Sequence, residues 1–276
     1  MKTGEKGKER IDLYLVSKGF FASREKAQAA IMAGLVYVGE RKVSKPSETV
    51  EAEAPVSVRN SGKTFVSRGA LKLKKAVEVF QADLKDKTVM DIGASTGGFT
   101  EICLQQGAKH VYSIDVGYGQ LDWKLRNDPR VTVMERTNAR YLQSDMFPER
   151  PQITVMDVSF ISIRLILPVA AQIMGEEGIF YTLIKPQFEA GRDKIGKNGV
   201  VRDPEVHREV LTNIVDFCRG TGWCVTQLDF SPIKGPEGNI EFLAEIRNSA
   251  CAVKETDSRD AEQVIADAHA ALDKEK

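Results

Sequence analysis

Two lysines and two carboxylates occupy positions from which they could meet in one site. Asp157 follows the apolar run ITVM and Lys185 follows IFYTLI, so both lie where buried strands are predicted to end. Glu241 stands at the start of a last strand, IEFLAEI, and Lys72 lies on a helix that leads into the sheet. Lysines and carboxylates that meet at one edge of a sheet are suited to proton transfer. Taken one at a time, each is more simply a surface charge.

A glycine-rich turn precedes three of these groups. Residues 89–100, VMDIGASTGGFT, predict a strand, a turn and a helix, which brings backbone N–H groups close to a ligand. The spacing is not G-x-G-x-x-G and lacks the lysine of a P-loop, so a dinucleotide pyrophosphate fits poorly. Asp115 ends the next strand, where a carboxylate can hold a ribose diol, and Asp91 would lie near a cationic amino group. S-adenosylmethionine matches both carboxylates, whereas simple turn geometry is the alternative.

Asn138 extends this ligand set beyond the third strand. In nucleotide-binding folds of alternating strands and helices, a side chain at this position usually contacts adenine. A helix cap is an equally good interpretation of Asn138. The predicted cofactor-binding residues are Asp91, Gly93, Ser95, Thr96, Gly97, Gly98, Phe99, Asp115, Asn138 and Asp157.

The elements that would position these residues alternate between strand and helix. Seven strand-like runs are separated by helical stretches, including 97–106, one near Leu121, 163–174 and about 205–219. This pattern predicts an α/β fold with a doubly wound, mainly parallel sheet. The last two runs are joined by SPIKGPEGN, which is too short for a parallel crossover, so the final strand is predicted to be antiparallel.

The first 60 residues differ from the rest in pattern and in charge. Two helices and a small sheet fit there, and residues 1–87 carry 18 Lys and Arg against 11 Asp and Glu. A basic end is typical of a polyanion-binding module, although an uneven solvated surface would look the same. We predict one domain at 1–60, a linker at 61–67, a second domain at 68–250 and a polar, solvated tail helix at 251–276.

Composition excludes several classes of protein. With 42% hydrophobic and 28% charged residues among 276, the chain is typical of a soluble globular protein. No apolar run is long enough to span a membrane, and the basic start lacks the apolar stretch of a secretory signal. The four cysteines show no metal-ligand spacing. We therefore expect a cytoplasmic protein without a metal site.

These motifs together resemble the TlyA family of ribosomal RNA methyltransferases, in which an S4 RNA-binding domain precedes an FtsJ-like 2′-O-methyltransferase domain. RID, SREKA and GLVYVGERKV resemble S4, while SRGALKL, DIGASTGGFT, MDVSF, LIKPQFE and GNIEFL resemble the catalytic domain. The resemblance implies a small N-terminal α+β S4 domain followed in the chain by a Rossmann-like class I methyltransferase sheet of seven strands, the last of them antiparallel. Where FtsJ-like enzymes usually carry proline before the glycine pair, this chain has Thr96.

The resemblance also implies a reaction. It places the family's Lys-Asp-Lys-Glu tetrad on Lys72, Asp157, Lys185 and Glu241. It also implies S-adenosylmethionine as cofactor and, as substrate, cytidine of 16S ribosomal RNA, 23S ribosomal RNA or both within ribosomal subunits. We expect Lys185 to accept the 2′-hydroxyl proton or to stabilise the alkoxide, while Asp157 orients Lys185. A lysine at its ordinary pKa is protonated, so a role as base requires burial or a neighbouring cation such as Lys72. Glu241 and Lys72 would position the ribose.

Basic residues in both parts of the chain are the predicted RNA contacts. The loop at 188–203 is interpreted as a mobile basic lid over RNA, with a solvated loop as the alternative. The predicted RNA-binding residues are Arg10, Ser23, Arg24, Lys26, Arg41, Lys42, Arg68, Arg192, Lys194 and Lys197.

Two other functions would each fit part of the sequence. A non-catalytic RNA-binding factor of ribosome assembly would keep the S4 domain, but the complete tetrad disfavours it. The family's hemolysin label suggests a membrane-active protein, which the lack of an apolar span and of an export signal disfavours. The sequence does not decide between a monomer and a dimer.

Overall fold

The computed structural model describes residues 8–21, 23–32, 34–39, 41–58, 65–248 and 261–273, without the side chain of Lys197. The chain divides into two units, one that precedes Phe65 and one that begins there. Most of the predicted linker, 61–64, lies outside the described residues.

The first unit contains short helices and strands around a small core. Its elements are β1 Lys8–Arg10, α1 Ile11–Ser17, α2 Arg24–Met32, β2 Val36–Val38, β3 Arg41–Lys42, β4 Thr49–Glu51 and β5 Val56–Val58. β2 is the central strand of an antiparallel sheet with β3 and β5, and β1 pairs with β4. The two helices, which are as predicted, bury Ile11, Leu15 and Ile31 in this core. β1 and β4 were not predicted, because three residues are too few for a periodic pattern.

The second unit contains the alternating strands and helices. Its elements are α3 Ala70–Phe80, β6 Thr88–Ile92, α4 Gly98–Gln105, β7 His110–Ile114, α5 Trp123–Arg126, β8 Val131–Met134, β9 Ile153–Met156, α6 Leu167–Met174, β10 Ile179–Ile184, α7 Pro186–Glu189, α8 Pro204–Gly220, β11 Trp223–Phe230, β12 Phe242–Asn248 and α9 Ala261–Leu272.

These strands form a seven-stranded sheet in the order β11-β12-β10-β9-β6-β7-β8. The five strands from β10 to β8 in this order are parallel, while β12 runs antiparallel to both β10 and β11. The predicted fold class, including the antiparallel last strand, is confirmed. As a result, the carboxyl ends of β9 and β10 and the start of β12 lie at the same edge of the sheet.

Both faces of the sheet are covered by helices. Alternate strand residues enter two cores: Val89 and Val111 pack with α3 and α4, whereas Met90 and Tyr112 belong to the core of α6, α8 and α9. A parallel sheet needs this two-sided cover, which is why its strands are apolar at nearly every position.

The predicted helix at 163–174 is interrupted. A 3-10 turn at Ile163–Leu165 is followed by α6, which has Pro168 in its first turn. Proline lacks an N–H group and is tolerated in a first turn but not in a helix interior, so the helix begins there. The stretch predicted near Leu121 is the single turn α5, capped by Asp122.

The C-terminal helix differs from the solvated tail that we predicted. In α9 the side chains of Val264, Ile265, Ala268 and Leu272 are buried in the core shared with α8. These apolar residues follow helical spacing on one face, which the acidic overall composition of the segment conceals. Residues 251–260 of the predicted tail lie outside the described part.

Candidate active site

The structure brings the four predicted catalytic residues together. Asp157 directly follows β9, Lys185 directly follows β10, Glu241 directly precedes β12, and Lys72 lies in the first turn of α3. The topology explains the meeting, because neighbouring parallel strands end at one edge and the antiparallel β12 begins there.

The four side chains form a chain of ion pairs. Lys72 Nζ lies 2.7 Å from Glu241 Oε2 and 3.4 Å from Asp157 Oδ2. Lys185 Nζ lies 2.6 Å from Asp157 Oδ1 and donates a hydrogen bond of 2.9 Å to Ser159 Oγ. The Asp157 carboxylate therefore lies between the two lysines. Lys72, Lys185 and Glu241 are buried, and the Asp157 side chain is 17% exposed.

The charge of Lys72 is set by these neighbours. Burial lowers the pKa of its ammonium, but the carboxylates of Asp157 and Glu241 together raise that pKa by more, so the net effect is an increase. Lys72 is therefore protonated at neutral pH and holds the two carboxylates in place. We expected Lys72 to be the charged neighbour of Lys185, but the charged group in contact with Lys185 is the Asp157 carboxylate.

A cleft of about 490 Å³ adjoins this cluster at the same edge of the sheet. Five of the predicted cofactor-binding residues line it, namely Gly93, Ser95, Asp115, Asn138 and Asp157. Ser159 and Phe160, which were not among the predicted site residues, also line the cleft. Because Asp157 and Ser159 contact Lys185, the cleft and the ion-pair cluster are continuous.

The glycine-rich turn is held by Asp115. Its Oδ2 accepts a hydrogen bond of 2.8 Å from the Ser95 N–H, and its Oδ1 accepts one of 2.7 Å from the Gly117 N–H. Gly93, at φ +86°, passes so close to Asp157 that a Cβ would lie 2.5 Å from the Asp157 carbonyl oxygen. This position therefore requires glycine both for its conformation and for the close approach.

The other residues predicted to bind cofactor do not line the cleft. Gly97, Gly98 and Phe99 are buried, with Phe99 in the core of α3 and α4, and Thr96 is exposed outside the cleft.

Asp91 is also buried beneath the turn, where Thr100 donates a hydrogen bond of 2.6 Å to its Oδ2. Burial raises the pKa of Asp91 to about 7, against the opposing effect of the Thr100 hydrogen bond.

Asn138 satisfies one of its two interpretations and is compatible with the other. Its Oδ1 accepts a hydrogen bond of 3.1 Å from the Arg140 N–H and so caps a 3-10 turn. The residue also lines the cleft, and contact with adenine stays a prediction.

An aromatic pair stands at the rim of the cleft. Phe160 is 92% exposed and has φ +63°, which is unusual for a residue other than glycine. Its ring centroid lies 5.2 Å from that of Phe188, which follows Lys185 by three positions. The signal available in the sequence was a large apolar side chain three positions after the aspartate that ends a strand.

The basic loop at 188–203 is partly attached to the rest of the unit. Lys194, a predicted RNA contact, forms an ion pair with Glu209 of α8, while Arg192 and Arg68 are exposed. The Asn239 amide donates to the Gly199 carbonyl at 3.0 Å and accepts from the Val201 N–H at 2.9 Å.

In the first unit, two predicted RNA contacts share a buried carboxylate. Arg10 and Arg24 both form ion pairs with Asp12, at 3.0 and 2.9 Å. Hydrogen bonds from Arg10 hold the pKa of Asp12 far below its usual range, with smaller help from Gln28 and Arg24 and against the effect of burial.

Both arginines remain nearly half exposed, so Asp12 fixes them on one surface. Of the other predicted RNA contacts in this unit, Lys26 and Lys42 are exposed, Arg41 pairs with Glu48 and Ser23 caps α2.

The described residues contain neither a helix that could cross a membrane nor a cluster of metal ligands. No helix among them is long and apolar enough to cross a membrane. Within the same ranges, no group of three or more His, Cys, Asp or Glu side chains is arranged to hold a metal ion.

Comparison with known proteins gives matches over nearly the whole chain. The model of the FtsJ-like methyltransferase family matches residues 65–247, and that of the S4 domain matches residues 9–56. Bacillus subtilis YqxC is 47% identical over 98% of this chain and 97% of its own length. The 16S/23S rRNA (cytidine-2′-O)-methyltransferase TlyA of Mycobacterium tuberculosis is 41% identical over 86% of this chain and 89% of its own. A solved structure of a Streptococcus thermophilus protein that carries the hemolysin name aligns with a TM-score of 0.74 and 43% identity over 98% of both chains.

Proposed function

The chain belongs to the FtsJ-like methyltransferase family, and we propose that it transfers a methyl group from S-adenosylmethionine to the ribose 2′-hydroxyl of cytidine in ribosomal RNA. The observation that carries this proposal is the ion-pair cluster of Lys72, Asp157, Lys185 and Glu241 at the end of a ligand-sized cleft. The similarity to TlyA of Mycobacterium tuberculosis supports the choice of substrate.

The cleft fits the proposed cofactor. At about 490 Å³ it lies within the usual size range of small-molecule sites, and its only lining carboxylates are those of Asp115 and Asp157 among the described residues. The close approach at Gly93 keeps the turn free of side-chain bulk beside Asp157. We assign Asp115 to the ribose of the cofactor and Asn138 to its adenine. When bound, S-adenosylmethionine supplies a methyl group that its sulfonium charge has already activated.

The protein must then place the ribose hydroxyl and manage its proton. We assign Lys185 to the 2′-oxygen, where a charged Nζ stabilises the developing negative charge and a neutral Nζ takes the proton. Asp157 lines the cleft, and its Oδ1 lies 2.6 Å from Lys185 Nζ, so we assign it to orient the Lys185 ammonium. Lys72 stays protonated, so we assign it no proton transfer. Together with Glu241 it fixes Asp157 and positions the ribose.

The N-terminal unit supplies the affinity for RNA in this proposal. Arg10 and Arg24 are held side by side by Asp12, and Lys26 is exposed on the same helix as Arg24. Arginines pre-positioned in this way suit contacts with phosphates, which fix register more than sequence choice. A ribosomal RNA substrate also leads us to propose that the protein acts in the cytoplasm.

Methylation of separated ribosomal subunits tests the proposal. Unmodified small and large subunits are incubated with the protein and methyl-labelled S-adenosylmethionine, and the digested RNA is examined for 2′-O-methylcytidine. We expect label in cytidine and a loss of about 100-fold or more in rate for Lys185→Ala, because removing one charge-stabilising group has this order of effect.

The matched control is Lys75→Ala. Lys75 lies on α3 and pairs with Asp229, outside the cluster, so its loss should leave the rate nearly unchanged. Cofactor binding without transfer to any RNA would favour the non-catalytic assembly factor. Leakage of lipid vesicles caused by RNA-free protein would favour the hypothesis of a membrane-active protein.

A further inference from the structure

Glu189 is a buried carboxylate that lies outside the ion-pair cluster. It is the last residue of α7, four positions after Lys185, and is 9% exposed. Its Oε2 accepts a hydrogen bond of 2.6 Å from Ser162 Oγ, and its Oε1 accepts one of 2.7 Å from the Ile163 N–H. Arg164 Nε lies 3.4 Å from the same carboxylate.

These contacts join the two segments that carry the central catalytic pair. Ser162 and Ile163 belong to the stretch that begins with Asp157, and Glu189 belongs to the helix that follows Lys185. The carboxylate therefore connects the end of β9 to the end of β10 beyond the sheet, where backbone hydrogen bonds between the strands no longer hold them together.

The connected stretch is also the strained wall of the cleft. Val158, Ser159, Phe160 and Ile161 all line the cleft, and Phe160 has φ +63°. Strained backbone persists only where the surrounding contacts fix it. The two hydrogen bonds to Glu189 fix this stretch two and three residues after Phe160, whose ring lies 5.2 Å from that of Phe188, the residue before Glu189.

Burial makes this arrangement costly. Removal from water raises the pKa of Glu189 in spite of its donors Ser162 and Ile163. A connection between two loops does not require a buried carboxylate, since apolar packing serves as well for stability alone. What the carboxylate adds is a fixed geometry, because hydrogen bonds constrain direction as well as distance.

We propose that Glu189 is a positioning residue for methyl transfer, which sets the geometry of Asp157 and Lys185 and the shape of the cofactor cleft by holding Ser162 and Ile163. This inference rests on the proposed methyltransferase function. Its effect on the cleft is independent of the RNA substrate and can be measured separately.

The first measurement is kinetic. In Glu189→Ala we expect kcat to fall about 100-fold, as for a small displacement of catalytic groups, while the KM for ribosomal subunits stays within about threefold. Glu189→Gln keeps an acceptor for the Ile163 N–H and should recover most of this loss. The control is Glu245→Ala. It removes a similarly buried carboxylate of β12 that contacts Arg247 of the same strand and Thr226 of β11, and it should leave kcat nearly unchanged.

A double-mutant cycle with Ser162→Ala separates positioning from general stability. If Ser162 acts through Glu189, its substitution lowers kcat in the wild type but has no further effect in Glu189→Ala. Should Glu189→Ala fail to fold, the same cycle is built on Glu189→Leu, which also removes both acceptor oxygens but fills more of the space. Additive effects in the cycle, or equal losses in Glu189→Ala and the folded Glu245→Ala, would overturn the proposal.

The second measurement does not depend on methyl transfer. Calorimetric titration with S-adenosylhomocysteine should show affinity about tenfold weaker in Glu189→Ala and unchanged in Glu245→Ala, because an unpaired buried N–H disturbs the cleft wall. Wild-type protein that binds this ligand but methylates neither subunit refutes the proposed function and leaves the Glu189 prediction testable by affinity. Unchanged affinity in Glu189→Ala refutes the role of Glu189 in shaping the cleft.

Discussion

Lys72 Nζ and Glu241 Oε2 lie 2.7 Å apart, although 169 positions separate the two residues in the chain. Both side chains are almost completely buried, and among the described residues Glu241 Oε1 has no hydrogen-bond partner. A buried ion pair with an unpaired oxygen is a poor source of stability, because the cost of removing two charges from water approaches or exceeds their attraction. We infer that this pair is kept for its chemistry: it places a permanent positive charge against Asp157.

Glu241→Gln should therefore lose both stability and activity. The substitution preserves shape but leaves the buried Lys72 ammonium with Asp157 alone, at 3.4 Å. We expect the free energy of unfolding to fall by about 3 kcal/mol, as for other broken buried pairs, and methyl transfer to fall with it. Denaturant titration and the subunit assay measure the two effects.

Asp229→Asn is the matched control for this change. Asp229 of β11 is also buried and pairs at 2.9 Å with Lys75, which lies on α3 like Lys72. Its replacement should cost stability without reducing methyl transfer by the folded protein. If folded Glu241→Gln keeps as much methyl transfer as Asp229→Asn, the Lys72–Glu241 pair is merely structural.

Gly93→Ala should weaken cofactor binding through a local clash. The new Cβ would lie 2.5 Å from the Asp157 carbonyl oxygen, so the glycine-rich turn and the Asp157 backbone would have to separate. We expect affinity for S-adenosylhomocysteine to fall at least about tenfold, which calorimetric titration measures directly.

The control Gly119→Ala separates this clash from backbone strain. Gly119 also has a positive φ, +70°, but nothing lies within 4 Å of its added Cβ. Its substitution should cost about 1 kcal/mol of stability and leave the affinity unchanged. Equal losses of affinity in both variants would attribute the effect to strain rather than to contact between the turn and Asp157.

The positions of the proposed catalytic residues were predictable because they depend on topology. Asp157 and Lys185 end neighbouring parallel strands, and the short loop before Glu241 requires an antiparallel return. Charged residues directly after apolar runs are visible in a sequence, and in such a sheet they must meet at one edge. The fold class followed from the same alternation.

Contacts that depend on side-chain direction were not predictable. Asp91 is an acidic residue in the predicted ligand-binding motif, yet it is completely buried, and the glycine-rich turn is held by Asp115 instead. Glu189 and Asp12 gave no signal either, because nothing in local spacing tells which distant N–H or guanidinium group a carboxylate will meet. The burial of α9 was not predicted, because acidic residues between its apolar positions make the segment look polar throughout.

His207 should make the second unit sensitive to acid. Its ring is fully buried on α8, with Nε2 3.2 Å from the Val201 carbonyl and Nδ1 3.1 Å from His269 Nε2. Burial, then repulsion by His269, lowers the pKa of His207 to about 4, against the smaller opposing effects of Val201, Asp203 and Asp273.

The sign of this effect follows from proton uptake. Between pH 6.5, the usual pKa of histidine, and about pH 4, the unfolded chain binds a proton at this residue and the folded chain does not. Stability should therefore fall as pH decreases through this window, by at most about 3 kcal/mol. Thermal unfolding of wild type and His207→Gln at several pH values measures it, and an identical slope in both proteins would exclude His207 as the cause.

Asp12 should control RNA binding by the first unit although it is fully buried. Its carboxylate holds Arg10 and Arg24 together, and because its pKa is depressed it stays ionised in the folded state. Asp12→Asn removes the charge that positions both arginines, so we expect a loss of about 2 kcal/mol in stability, as for other charge-assisted hydrogen bonds. It should also weaken RNA binding more than Arg24→Ala does, since two side chains lose their placement instead of one.

The dependence of RNA affinity on salt distinguishes loss of placement from loss of charge. Arg24→Ala removes one phosphate contact and should reduce the slope of log affinity against log salt by about 1. Asp12→Asn keeps both arginines but no longer holds them in place. The RNA affinity should therefore fall, and the two mobile side chains should contribute less to the slope than in the wild type. The control Gln28→Ala removes a neutral donor from the same carboxylate, at 2.9 Å, and should leave the slope unchanged. If Asp12→Asn folds and binds RNA with the affinity and slope of the wild type, the arginines do not need Asp12, and RNA contacts in this unit must come from exposed residues such as Lys26.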